Sequence, residues 1–246
     1  MLKISKDHYV PQFYLDAFAI EGSENENPHV YQYMKAGIVA ARIKDAASEK
    51  HFYTFRDKKT GENSRAIDDF FTQSEKAAAE PLKKIIKREE IDLSDREREN
   101  LAIFFALLAV RTPSFIKSLQ SFEGEATKEF MALQAMDLNR FRRNMKKVDS
   151  SLDENTITEL HQTILEKKYS VSFNNRAYFI ANGIEISSDL AKYYYEKKYW
   201  HLLISESDRV FIVSDNPIST YRPKWVPPAL NAGYKNGTLL VPLSPK

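Results

Sequence analysis

The stretch LAIFFALLAV at residues 101–110 decides how this chain reads. Ten consecutive apolar residues leave no solvated face, so a helix here must be buried all round. It falls far short of the ~20 residues that a membrane span needs, and it reads as the central helix of a core. Just before it, Ser94 followed by Asp95 and Glu97 forms a helix start, with a hydroxyl to cap free amides and acids to oppose the dipole. Just after it, Arg111-Thr112-Pro113 closes the run. Pro113 kinks or restarts the helix, which is expected to continue to about Lys147.

Farther out, residues 66–90 carry apolar side chains at helical spacing, and Pro81 is expected to kink or split that helix. Residues 153–168 form another amphipathic pattern. Pro11 occupies the first position of a helix expected over residues 12–20, and the polar loop 22–28 ends it. Strands are expected at 29–34 and 38–43, joined by Lys35-Ala36-Gly37, with the aromatic run 51–55 extending that sheet. Near the other end, 200–205, 210–213 and 238–242 read as three more strands. An isolated hairpin is marginal in water, so the two strand groups are expected to join in one sheet. The fold class is α+β: a mainly helical middle with a mixed or antiparallel sheet built from N-terminal and C-terminal strands. A single domain over residues 1–246 follows.

Composition removes several chemistries. The 246 residues include no cysteine, which excludes disulfides, zinc–thiolate sites and a thiol nucleophile. With 36 basic against 34 acidic residues, no global field recruits nucleic acid. The N-terminus lacks the apolar run of a signal peptide, so a cytoplasmic location with no membrane partner is expected. There is no phosphate-binding glycine loop and no G-x-S-x-G elbow. The histidines at 8, 29, 51, 161 and 201 lack the spacing of a helical metal site. Acid-x-Lys triplets at Asp57/Lys59, Glu166/Lys168 and Glu196/Lys198 are about as many as composition alone yields.

The run His8-Tyr9-Val10-Pro11-Gln12-Phe13-Tyr14-Leu15, then Phe18, resembles the opening of the bacterial family known as domain of unknown function 4238. Phe52-Tyr53, Glu75, Arg111-Thr112-Pro113, Trp200, Ser214-Asp215-Asn216-Pro217 and Pro242-Leu243-Ser244-Pro245 follow in the family's order. The resemblance spans nearly the whole chain but implies no established activity. In that family more sequence usually follows the last motif, so the resemblance implies either a truncation after Lys246 or a short member that lacks a final strand and helix.

The candidate catalytic residues are His8, Arg111 and Asp215. Histidine suits proton transfer near neutrality, and His8 lies just ahead of a helix start; its other use there is to cap the helix or to hydrogen-bond a loop carbonyl. Asp215, with Asn216 to orient substrate, lies in a proline-fixed turn where it serves as a base, as a Mg²⁺ ligand, or simply as part of an Asx-turn. Arg111 ends a buried helix and needs a carboxylate, a carbonyl or an anion. A structural pair with an acid is the stronger reading, ahead of recognition of a phosphate or carboxylate ligand. Glu75 is either a second site acid or a solvated helix residue, and Tyr14 a core or cleft-lining aromatic. The basic group Arg140, Arg142, Arg143, Lys146 and Lys147 covers much of a helix circumference, which suits a solvated helix end better than a nucleic-acid stripe. Two functions therefore stand open. One is a hydrolase of a phosphate-containing substrate, nucleic acid or nucleotide. The other is a binding or interaction module whose polar motifs lock turns. Convergence of His8, Arg111 and Asp215 on one concave pocket separates them.

Overall fold

The computed structural model describes residues 6–23, 27–56, 63–222, 224, 233–234 and 237–246. Asp57 and Lys59 of the first acid-x-Lys triplet lie outside these residues. In chain order the elements are β1 (Lys6–His8), α1 (Gln12–Leu15), β2 (His29–Met34), β3 (Gly37–Arg42), β4 (Ser48–Lys50), β5 (Phe55–Arg56) and β6 (Asn63–Ser64). Then come α2 (Ala66–Arg88), α3 (Asp95–Val110), α4 (Pro113–Ala135), α5 (Leu138–Val148), α6 (Glu154–Leu165), α7 (Arg176–Lys197), β7 (Ser219–Tyr221) and β8 (Thr238–Leu240). The class is α+β with a helical middle.

The strands do not join as expected. Among the described residues they form four separate antiparallel pairs, β1–β4, β2–β3, β5–β6 and β7–β8. What unites the two ends is a shared core rather than a shared ladder: Val10, Val30, Ile43, Leu101, Phe104 and Ile218 belong to one buried cluster. The aromatic run at 51–55 does not extend the first hairpin either. Phe52 and Tyr53 turn inward and are buried, while Phe55 starts its own short pair.

The chain forms two compact units, residues 1–115 with 180–246, and residues 116–179. In the first unit α3 is the core. Ser94 and Glu97 close a reciprocal capping box, with the Ser94 amide donating to Glu97 at 2.8 Å. Eight of the sixteen residues of α3 are buried, Phe104 and Leu108 among them, and α2 packs along it. Pro81 does not split the helix: α2 runs through it, with Pro81 itself buried. One withdrawn donor is outweighed by an apolar face fixed against α3. The first helix is shorter than expected, one turn of α-helix that tightens into a 3₁₀ turn at Asp16–Phe18. No helix among the described residues is long and apolar enough to cross a membrane.

The sequence reading missed α7. Its buried stripe is Ile180, Gly183, Ser187, Leu190, Ala191 and Tyr194, so a glycine and a serine interrupt the apolar pattern. Gly183 has a packing reason, since a side chain there would meet the Val110 carbonyl at 3.2 Å. Beyond α7, residues 200–205 and 210–213 form no ladder; Trp200 instead donates its indole N–H to the Tyr194 carbonyl at 3.1 Å under the Arg98 guanidinium.

The second unit has a small core of Ala135, Phe141 and Ile157. The helix expected to reach Lys147 breaks after Ala135, where the Asp137 side chain caps α5 through the Arg140 amide at 3.0 Å. Asp153 caps α6 in the same way. Phe141 is buried, whereas the basic residues around it are exposed or half-buried.

Candidate functional site

Arg111 is the centre of the arrangement. The last carbonyls and side chains of a buried helix must find partners inside the protein, and a buried guanidinium carries five donors that need acceptors. Arg111 is 2% exposed. Its Nη1 donates to Glu75 of α2 at 2.7 Å, its Nη2 donates to the backbone carbonyl of His8, and its Nε donates to the Tyr53 hydroxyl at 3.3 Å. Tyr53 returns the contact, donating its own O–H to the Arg111 carbonyl at 3.1 Å. The guanidinium also lies 4.6 Å over the Phe71 ring. Burial alone would lower its pKa, but Tyr53 and Glu75 outweigh that and hold it above its ordinary value.

The network continues outward. Asp7 is buried on β1 and accepts the Tyr53 amide at 2.9 Å, with Arg65 4.0 Å from its other oxygen. Burial pushes the Tyr53 phenol up to about 12. Tyr14 is fully buried and donates its hydroxyl to the Pro242 carbonyl, tying the first motif to the last; burial raises its phenol as well. Thr112 accepts the Phe115 amide at 3.3 Å to start α4, and its hydroxyl faces Asn216 at 3.4 Å.

Two of the three candidate catalytic groups stand apart from this bonding. His8 lies in β1, and its Nε2 meets the Lys44 carbonyl at 3.1 Å. Only a protonated Nε2 can make that bond to a carbonyl in the neutral ring, which leaves the lone pair on Nδ1. Burial lowers the pKa of His8, the Arg111 charge adds to this, and the Lys44 carbonyl opposes it. Asp215 is exposed and close enough to Tyr9 for its charge to help raise that phenol, second to burial. Its turn is closed by a neighbour: the Asn216 amide donates to Ser214 at 3.1 Å, and the Ser214 hydroxyl donates to the Asn216 carbonyl at 2.8 Å.

The acid that Arg111 pairs with is Glu75 of α2. Glu75 was visible in the sequence as a candidate acid, but its spacing from Arg111 carried no sign of the pairing. Asp7 was missed altogether, because a lone acid between the polar neighbours Lys6 and His8 looks like any surface aspartate. Among the described residues no group of three or more His, Cys, Asp or Glu side chains is gathered to hold a metal ion. A cavity of about 990 Å³ opens elsewhere in this unit, lined by Ile85, Phe105, Tyr194, Trp200 and Leu243 among others. None of His8, Tyr14, Glu75, Arg111, Asp215 or Asn216 lines it.

The profile of a family described as protein of unknown function, DUF4238, matches residues 6–246. No curated protein and no solved structure matches.

Proposed function

Because the chain belongs to the DUF4238 family, which brings no activity with it, we propose a function from the chemistry of the site: a binding or interaction module whose polar motifs clasp the fold together. The bonding of all three Arg111 guanidinium nitrogens inside the protein carries this reading. A residue that recognises a phosphate needs free donors facing solvent, whereas Arg111 is buried and spends its donors on Glu75, the His8 carbonyl and Tyr53. An arginine in that position joins β1, the Tyr53 segment, α2 and α3, and the Thr112–Asn216 contact brings the later turn to the same junction.

One observation favours the hydrolase as a second reading. His8 is held in one tautomer with Nδ1 available, and its lowered pKa keeps it a neutral base at pH 7. Such a site would act on nucleotides or nucleic acid through His8 and Asp215, with Mg²⁺ as a possible helper at Asp215 and no help from Arg111. Incubation of the chain with nucleotides, RNA and DNA, with and without Mg²⁺, separates the two. The clasp reading expects no turnover, and a large fall in melting temperature for Arg111→Ala. Turnover that His8→Ala abolishes at unchanged melting temperature would establish the hydrolase instead.

A further inference from the structure

α4 has two unlike faces. Gly124 and Ala135 are buried, and a side chain on Gly124 would meet the Val171 carbonyl at 3.2 Å, so this face is packed against the unit's own chain. At 100° per residue the opposite face holds Leu119, Phe122, Ala126, Phe130 and Leu133. Phe122 is 70% exposed, Phe130 61% and Leu133 59%, so the outward face is an aromatic and aliphatic stripe in solvent.

The order of that stripe is palindromic. Leucine, phenylalanine, alanine, phenylalanine and leucine stand at offsets of −7, −4, 0, +4 and +7 from Ala126. In a twofold-symmetric antiparallel contact each offset meets the opposite offset of the other copy, so this order sets like side chains against like. From this we propose that α4 is the interface of a homodimer, two copies pairing antiparallel across Ala126. Phe122 then packs against Phe130 of the partner subunit twice, Leu119 meets the other copy's equivalent of Leu133 in the same way, and the small Ala126 at the crossing lets the helices approach closely.

The area agrees with this occupant. Of the three acids bordering the stripe, Glu125 pairs within its own copy with Lys128 at 2.9 Å and Glu129 with Lys167, while Glu123 is half-buried. Phe122, Phe130 and Leu133, with Met136 just past the helix end, together expose roughly 500 Å² of apolar surface per copy, so the pair covers about 1,000 Å², the low end for a specific interface. The dimer is accordingly weak and concentration-dependent. The inference is independent of the clasp, which lies in the other unit.

Sedimentation of the full chain tests it, together with cross-linking. The chain has no cysteine, so Ala126→Cys supplies a single thiol at the twofold axis, with Glu159→Cys on the exposed face of α6 as control. The expected results are a mass rising from 28.5 kDa toward twice that value with concentration, and oxidative cross-linking much faster for Ala126→Cys than for the control. Phe122→Glu with Phe130→Glu should weaken association about tenfold or more at unchanged circular dichroism. A monomer up to about 0.1 mM, where micromolar affinities are saturated, would overturn the proposal. So would a dimer indifferent to the Phe122/Phe130 pair, or equal cross-linking of the two cysteine variants.

Discussion

α3 and α4 follow one another across Thr112, and both are rich in apolar residues, yet they meet opposite fates. In α3 eight of sixteen residues are buried, while in α4 only Ile116, Gly124 and Ala135 of twenty-three are. The difference lies in distribution. α3 carries its apolar residues on every face over residues 101–110, so most of it is buried whatever its orientation, although it is not buried all round as expected: Ile103 is exposed. α4 collects its largest side chains on one stripe and its smallest on the other, and the smallest face inward. Hydrophobicity says that a helix must be covered; where bulk sits on the helix decides whether the fold itself does the covering.

The sharpest way to break this comparison is to truncate one phenylalanine in each helix. Phe104 is buried against Phe13 and Tyr14, so Phe104→Ala should cost roughly 3–5 kcal/mol in urea unfolding. Phe130→Ala, measured at concentrations below dimerisation, should stay within about 0.5 kcal/mol. Equal costs would erase the contrast between the helices.

A smaller effect follows from His8. Its pKa is lowered in the fold, so between that value and the ordinary 6.5 the unfolded chain binds more protons. Stability conferred by the neutral ring is complete above 6.5 and is lost as pH falls toward the folded value. His8→Gln should flatten this part of the stability–pH curve, and an unchanged slope would show that His8 does not contribute to it. The smallest effect is expected at Asp215, which is exposed in a turn closed by Ser214: Asp215→Ala should move stability by less than about 0.5 kcal/mol.

Much of the fold was legible because it rests on local rules. The uniform apolar run marked α3, Ser94 and Asp153 marked helix starts, and Lys35-Ala36-Gly37 marked the first hairpin. What stayed hidden depends on contacts distant in sequence. Gly183 breaks the pattern of α7 because Val110 approaches there, and the strands at the two ends meet in a core rather than a ladder. The site shows the same divide. That Arg111 needed an anion could be read from its place after ten apolar residues; that the anion is Glu75, with Asp7 behind Tyr53, depends on how α2 and β1 pack.

The central claim is that Arg111 is a clasp spent on Glu75 and not a free cation shared with Asp215. Double-mutant cycles in chemical denaturation measure this directly, combining Arg111→Ala with Glu75→Ala in one cycle and with Asp215→Ala in the other. The buried, hydrogen-bonded pair should show coupling above about 1 kcal/mol, and the cycle with Asp215 should be additive within about 0.5 kcal/mol. Additivity with Glu75 and strong coupling with Asp215 would contradict the account.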